Sequence, residues 1–310
     1  MTATKTMKAV RIHTFGGPDV LQLEDVPVPE PKADEVLVRV HAAGVNPVDW
    51  KIREGMVGSL SLPSIMGSDF SGVIESAGSQ VKAFFPGDEV FGSVSDDSGS
   101  YAEHATAPVS QITMKSAALS HVQAAALPIA GLTAWQALFD KADVQPGQRV
   151  LIHAAAGGVG HLAVQFAKWK GAYVFGTASE KNAKFVRGLG ADLFIAYRTE
   201  QFEDIARDVD MVLDTMGGAT QERSWKTLKP GGILVSLVQE PSKAPAGVRG
   251  VLMRADHARP DELAKIGELV AAGTVRVDIS TVLPLKEARK SHELSQQGRT
   301  RGKIVLSIAG

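Results

Sequence analysis

The sequence has no cysteine. That absence excludes disulfides, thiolate nucleophiles, cysteine-ligated zinc and cysteine-held iron–sulfur clusters. It also lacks an excess of either charge. Lys and Arg number 33, Asp and Glu 34, and the formal net charge is -1. This balance argues against a broad nucleic-acid or anionic-membrane surface. Uninterrupted apolar runs of about 18 residues, the length of a membrane span, are missing too. The most apolar stretch, 124–139, contains Pro128, Gly131 and Gln136. The opening residues, Met1 to Met7, hold no apolar signal core. A cytoplasmic protein without a membrane partner is expected.

What is present is ordinary for a globular protein: 310 residues, 44% hydrophobic and 22% charged. The length predicts two domains with cores that need no covalent staple. Up to about residue 123 the texture is strand and turn. Val36–His41 alternates apolar with other residues, and 73–74, 89–91 and 109–113 are further short strand candidates. Prolines and glycines punctuate them. After residue 123 the period lengthens. Residues 124–139 read as helices broken at Pro128. Strands are then predicted at 149–153, 172–177, 193–196, 211–214 and 233–237, with helices at 158–170, 180–189, 200–206 and 219–228. Such alternation predicts an α/β fold with a doubly wound parallel sheet. A helix at 260–272 follows, then 282–284 and a last strand at 302–308. That last strand is expected to return to the β lobe. The expected division is 1–123 with 280–310 as the mainly β domain, and 124–279 as the nucleotide-binding domain.

The most informative segment is Val150-Leu-Ile-His-Ala-Ala-Ala-Gly-Gly-Val-Gly160. An apolar strand runs into a small-residue turn, and a helix begins near Val159. Ala155, Gly157 and Gly160 take the three spaced positions of a dinucleotide fingerprint, with Gly158 and Val159 between them. Small residues there let the backbone approach a pyrophosphate at a helix N-terminus. The strand before and the helix after supply the context the motif requires. An NAD site usually carries an acid about 20 residues further on. That place falls near Thr177, which is neutral. Ser179 and Lys181 could instead hold a 2′-phosphate, with Tyr197 flanking the adenosine. This pattern favours NADP(H), although Glu180 stands one residue away from offering an NAD-type acid.

Several longer runs carry a family resemblance. They are Ala42 to Gly55, Gly67-Ser-Asp-Phe-Ser-Gly-Val73, Phe85-Pro-Gly-Asp-Glu-Val-Phe-Gly92, Gly99-Ser-Tyr-Ala-Glu-His104, Ala125 to Ala134 and Gly302-Lys-Ile-Val305. Together with the glycine turn they resemble the zinc-independent medium-chain dehydrogenase/reductases, in the quinone oxidoreductase and enone (alkenal) reductase branch. The resemblance runs in order along almost the whole chain. It implies a GroES-like β domain joined to a Rossmann domain, and homodimers or homotetramers. Zinc-dependent relatives have a Cys where this chain has Asn46 and a His-Glu pair where it has Ser68-Asp69. The eight histidines show no HExxH or other tight ligand spacing. No metal is expected.

Without a Lewis acid, a simple ketone is hard to polarise, whereas a conjugated enone or quinone accepts hydride more easily. The expected activity is therefore NADPH-dependent reduction of quinones or α,β-unsaturated carbonyls. The resemblance points to Asn46 as the amide facing the nicotinamide and the substrate oxygen. Lys51 offers a cation or a proton relay, or is a lysine lying along the surface. Asp49 fixes local backbone or water. The resemblance also implies a cofactor contact from Thr133. Thr215, Leu237 and Val238 stand at strand ends on the carboxyl edge of the predicted sheet, where ligands bind, and are expected to pass the nicotinamide ribose. Lys303, near the last strand, is expected to approach the carboxamide. Trp50-Lys51 stands where many quinone-branch relatives carry a Tyr, which leans towards enones. Tyr101 reads as structural. Two other functions stay open: an enoyl-thioester reductase, and a non-catalytic NADPH-binding sensor or RNA-binding protein. The charge balance disfavours the RNA-binding one.

Overall fold

The computed structural model describes residues 5–58, 60–241 and 244–308. The chain forms two compact units. One takes the chain up to Ala130, then Asp256–Gly273 and the chain from Val277 on. The other takes Gly131–Ala255 and Thr274–Arg276.

The first unit is mainly β. Its early strands are β1 (Thr6–Ile12), β2 (Gln22–Pro27), β3 (Glu35–Val45), β4 (Ser64–Ile65), β5 (Asp69–Ala77), β6 (Glu89–Ser93), β7 (His104–Pro108) and β8 (Ile112–Met114). β3 is much longer than the six residues that alternation alone suggests. Val36, Val38 and Val40 enter one core with Phe70, Ile74, Val90 and Ile112. The register then shifts between Val40 and Ala42. Beyond that irregularity Ala43 and Val45 enter a second core with Val10, Ile12, Tyr101 and Leu306. A shift of this kind lets one strand serve two cores. The strand expected at 109–113 is not continuous. β7 ends at Pro108, a 3-10 turn covers Val109–Gln111, and β8 starts at Ile112. The Val109 N–H is spent on the Asp34 carbonyl, outside any strand ladder.

The second unit holds β9 (Arg149–Ile152), β10 (Tyr173–Ala178), β11 (Leu193–Ala196), β12 (Val209–Asp214), β13 (Leu228–Ser236) and β14 (Arg249–Leu252). They form one sheet in the order β11-β10-β9-β12-β13-β14, every neighbouring pair parallel. Numbered within the unit this is 3-2-1-4-5-6, the Rossmann order. The strand order reverses between β9 and β12, and ligands bind such sheets outside the carboxyl ends at that point. Helices follow the strands at Gly160–Trp169, Ala183–Gly188, Phe202–Ile205 and Gly218–Ser224. The helix expected over 180–189 is shorter because Glu180–Asn182 is a 3-10 turn and Gly190 turns the chain at φ 101°.

The chain then gives the helix Pro260–Ala271, β15 (Ile279–Pro284), the helix Ala288–Gln296 and β16 (Lys303–Ser307). β16 pairs antiparallel with β3, Ile304 opposite Val45. This places β16, β3 and β5 side by side in one sheet. Among the described residues no helix is long and apolar enough to cross a membrane.

Candidate active site

Three neighbouring strands of the first unit bring polar side chains to one place. Asn46 follows the last residue of β3 and precedes the helix Pro47–Arg53. Asp69 opens β5, and Lys303 opens β16. All three are buried. The Asn46 amide donates to Asp69 Oδ2 at 2.9 Å. The Lys303 ammonium donates to Asn46 Oδ1 and to the Val45 carbonyl. Both Asp69 oxygens accept from the Ile129 N–H, at 3.2 Å each. Gly302 sets the entry of Lys303: its φ is 64°, and a Cβ there would lie 2.1 Å from the Asp278 carbonyl oxygen.

A second carboxylate completes the cluster. Asp49 Oδ2 accepts from the Asn46 backbone N–H at 2.8 Å and from the Tyr101 hydroxyl at 2.9 Å. It thereby ties the first turn of the helix Pro47–Arg53 to the loop carrying Tyr101. Burial pushes the Asp49 carboxyl up to about 7, against the pull of its two donors. Burial likewise raises Asp69 to about 6, opposed by Lys303 and by the Asn46 amide. The same desolvation lowers Lys303, with Asp69 and Asp49 acting against it. Tyr101 is raised well above the usual phenol range by burial first and then by Asp49. One ammonium thus faces two carboxyls whose charge changes near neutral pH. The arrangement can supply fixed hydrogen-bond donors in a dry setting, where they act most strongly on developing negative charge.

Lys51 stands apart from this cluster. It is half-buried in the helix Pro47–Arg53, its ammonium 5.6 Å from the centroid of the Trp50 ring. Lys303, by contrast, reaches Asn46 itself. Among the described residues no group of three or more His, Asp or Glu could hold a metal ion. The polar cluster fits a divalent cation poorly, because a buried ammonium already sits against Asn46.

The glycine turn belongs to the second unit. It leaves β9, and the following helix starts at Gly160. Ala154 adopts φ 47°, and its carbonyl accepts from the Gly157 N–H at 2.8 Å. A Cβ on Gly160 would lie 2.2 Å from that carbonyl oxygen. Only glycine lets the helix start so close to the turn. Ala155 is buried, its N–H donating to the Thr177 carbonyl at 2.9 Å. Gly157, Gly158 and Val159 are half-exposed. His161 locks the turn from behind, its Nδ1 2.9 Å from the Gly157 carbonyl. These features fit a dinucleotide pyrophosphate: a tight backbone turn with no room for a side chain at Gly160, at the N-terminus of a ten-residue helix.

The ends of β10 and β11 lie side by side, Ala178 opposite Ala196. Ser179 and Tyr197 are the next residues of each. Lys181 is exposed, and Tyr197 carries the Arg198 guanidinium over its ring at 5.8 Å. Thr177 differs from its neighbours. It is buried, with its hydroxyl 3.1 Å from His153 Nδ1. The other His153 nitrogen meets Ser224 Oγ at 2.8 Å. Burial drops this imidazole to about 4, so it is a neutral bridge. Asp214 closes β12 as a hub, accepting from the N–H groups of Met216 and Gly217, from Gln221 and from Ser236. Thr215 donates its hydroxyl to the His153 carbonyl, and the Leu237 N–H donates to the Asp214 carbonyl. Val238 follows it, half-buried. Thr133 is buried in the helix Pro128–Gln136.

Sequence reasoning did not assign Asp69 or Tyr101 to the site, nor His153. The signal for Asp69 is a lone acid in the small-residue run Gly67-Ser-Asp-Phe, and for Lys303 a lone cation opening an apolar strand. Neither says which partners the fold supplies.

Residues 32–117 match a family model described as the alcohol dehydrogenase GroES-like domain, and residues 189–306 one described as zinc-binding dehydrogenase. The chain is similar to the solved quinone oxidoreductase from Coxiella burnetii, at 41% identity and a TM-score of 0.89 over 98% of this chain and 100% of that one. It is similar at 30% identity to Escherichia coli quinone oxidoreductase complexed with NADPH, with a TM-score of 0.88 over 97% and 99% of the two chains. The chloroplastic NADPH-dependent alkenal/one oxidoreductase of Arabidopsis thaliana is 35% identical over 97% of this chain and 80% of its own length.

Proposed function

The chain belongs to the quinone oxidoreductase and alkenal/one oxidoreductase branch of the medium-chain dehydrogenase/reductases, and from that premise we propose that it is an NADPH-dependent reductase of quinones or α,β-unsaturated carbonyls that uses no metal. The observation that carries the proposal is the buried Asn46–Asp69–Lys303 cluster, an amide donor fixed beside a cation. When bound, NADPH supplies a hydride from the nicotinamide C4.

The chain's own residues do the rest. Gly158, Val159 and Gly160 hold the pyrophosphate with backbone N–H groups at the helix start, while Ala155 and Gly157, whose N–H groups close the turn, shape the approach to it. Ser179, Lys181 and Tyr197 receive the adenosine 2′-phosphate and ring. Thr177 contributes through its backbone, since its hydroxyl faces His153. Thr133, Thr215, Leu237 and Val238 hold the nicotinamide side. Asn46 donates to the substrate oxygen on which charge gathers, and the Lys303 ammonium keeps that region positive. Asp49 fixes the Asn46 backbone rather than touching substrate. Lys51, partly solvated, passes a proton to the reduced substrate from water. The enzyme works in the cytoplasm as a homodimer or homotetramer with small-molecule partners.

The test is NADPH oxidation against 1,4-benzoquinone, 9,10-phenanthrenequinone, 2-hexenal, methyl vinyl ketone and a short enoyl-CoA. Each assay is repeated with NADH and with EDTA. Turnover of enones or quinones that prefers NADPH and ignores EDTA is expected. Turnover of enoyl-CoA alone would move the activity to thioesters, and loss of activity with EDTA would overturn the metal-free mechanism. Tight NADPH binding without turnover of any substrate would favour a sensor.

A further inference from the structure

We propose that Asp69 and Lys303 are positioning residues that lock the Asn46 side-chain amide in one orientation, leaving its second N–H as a fixed donor. The use of that donor rests on the reductase reading above, but the lock rests on geometry alone.

An asparagine amide has one accepting oxygen and two N–H groups, and its two ends are nearly equal in shape. Its orientation is therefore set by its partners. Here the oxygen meets an ammonium, which can only donate, and the nitrogen meets a carboxylate, which when ionised can only accept. Turning the amide over would set N–H against N–H and oxygen against oxygen, both out of water. Two hydroxyls in the same places would tolerate either orientation, because a hydroxyl donates or accepts. The charges of Asp69 and Lys303 are what remove the choice.

Both partners are themselves held. Asp69 takes the Ile129 N–H on both oxygens, and Lys303 is tied to the Val45 carbonyl. The three residues sit at adjoining ends of β5, β3 and β16, so the sheet sets their spacing. Asp49 and Tyr101 are the other titratable groups in the cluster. Asp49 binds the Asn46 backbone N–H and leaves the amide alone. With one amide N–H given to Asp69 and the oxygen given to Lys303, the second N–H is the donor left over. Protonation of Asp69, near pH 6, would let that carboxyl donate and would loosen the lock.

The sequence makes this directly readable, because it contains two asparagines, Asn46 and Asn182. Protein labelled with ¹⁵N-asparagine shows two side-chain amide pairs, and Asn46→Ala identifies one of them. We expect slow solvent exchange for the Asn46 pair, a shift that titrates near pH 6, and loss of both in Lys303→Met and in Asp69→Asn, where the third pair that the new asparagine adds is identified in the Asp69→Asn/Asn46→Ala double variant. The two variants serve independently should one fail to fold. Kinetically, Asp69→Asn lowers kcat by about tenfold to a hundredfold, the scale of misplacing a positioned group, with the NADPH KM little changed. In the Asn46→Ala background the same substitution costs less than about twofold, because it acts through a group already removed.

An Asn46 pair unchanged in both variants would overturn the lock. So would an Asp69→Asn loss of kcat that persists in full without Asn46. An enzyme that reduces no quinone or enone would count against the reductase assignment alone, since the amide spectra read the lock without turnover.

Discussion

The two units handle polar chemistry in opposite ways. In the second, the candidate cofactor site is built from backbone and from missing side chains. Gly160 stands where a Cβ would strike the Ala154 carbonyl, and Ala155 tucks its N–H under β10. In the first, the candidate reaction site is built from charged side chains taken out of water: Asp49, Asp69 and Lys303 around Asn46. A backbone cradle costs little to bury because its donors are there in any helix start. A buried charge cluster is expensive and survives only if every member is paired. The difference predicts where each unit breaks and how.

The largest effect is expected from Gly160→Val. The added side chain collides with the Ala154 carbonyl and forces the helix start away from the turn. NADPH binding, followed by nicotinamide fluorescence, should be abolished, with a stability loss of about 2–3 kcal/mol. Lys303→Met comes next. It leaves Asp69 and Asp49 without their cation, and removing one partner from such a cluster costs about 3 kcal/mol, read from urea unfolding at pH 8. NADPH binding to the second unit's turn should survive it.

The pH dependence of stability separates the units further. Asp69 and Asp49 sit above the ordinary 3.8, at about 6 and 7, so the folded chain holds protons that the unfolded chain has released. Their effect is to make stability fall as pH rises from about 4 to 7, then level off. His153 runs the other way. Its value drops from 6.5 to about 4, so the folded chain refuses a proton that the unfolded chain takes, and stability falls on acidification through that window. Asp69→Asn removes part of the carboxyl gain. The variant should therefore lose stability faster than the parent between pH 6 and 4, measured by thermal melts.

Smaller effects sharpen the cofactor half. Lys181→Ala should raise the NADPH KM by about tenfold, the worth of one charged hydrogen bond, and leave the NADH KM alone. Ala154→Gly relieves a left-handed alanine at φ 47° and should change stability by under about 1 kcal/mol.

The same contrast explains what the sequence disclosed. The turn at 153–160 is local: strand, small residues and helix are contiguous, so a linear pattern carries it. Five of the six parallel strands were legible for the same reason, from period and punctuation; β14 was not singled out. β1 and β2 were not singled out, and neither was the helix Ala288–Gln296, whose residues are polar except for Ala288 and Leu294. The polar cluster is non-local. Asn46 and Lys303 are 257 positions apart and meet only because β16 returns to pair with β3. The sequence offered Asn46 and Lys303 as candidates, but their meeting with the lone acid Asp69 belongs to the topology. Thr177 shows the converse. Its position near the end of β10 was legible, while its hydroxyl turned inward because the buried His153 needed a partner.

The most direct test of the division of labour is one comparison of wild type with Asn46→Ala, measuring the NADPH dissociation constant and the kcat for 2-hexenal and 1,4-benzoquinone together. If the first unit supplies the reaction donor and the second supplies the cofactor site, kcat falls by about a hundredfold, as for loss of one oxyanion donor, while NADPH affinity stays within about threefold. Loss of affinity in step with kcat would contradict that division, and an unchanged kcat would remove Asn46 from the chemistry.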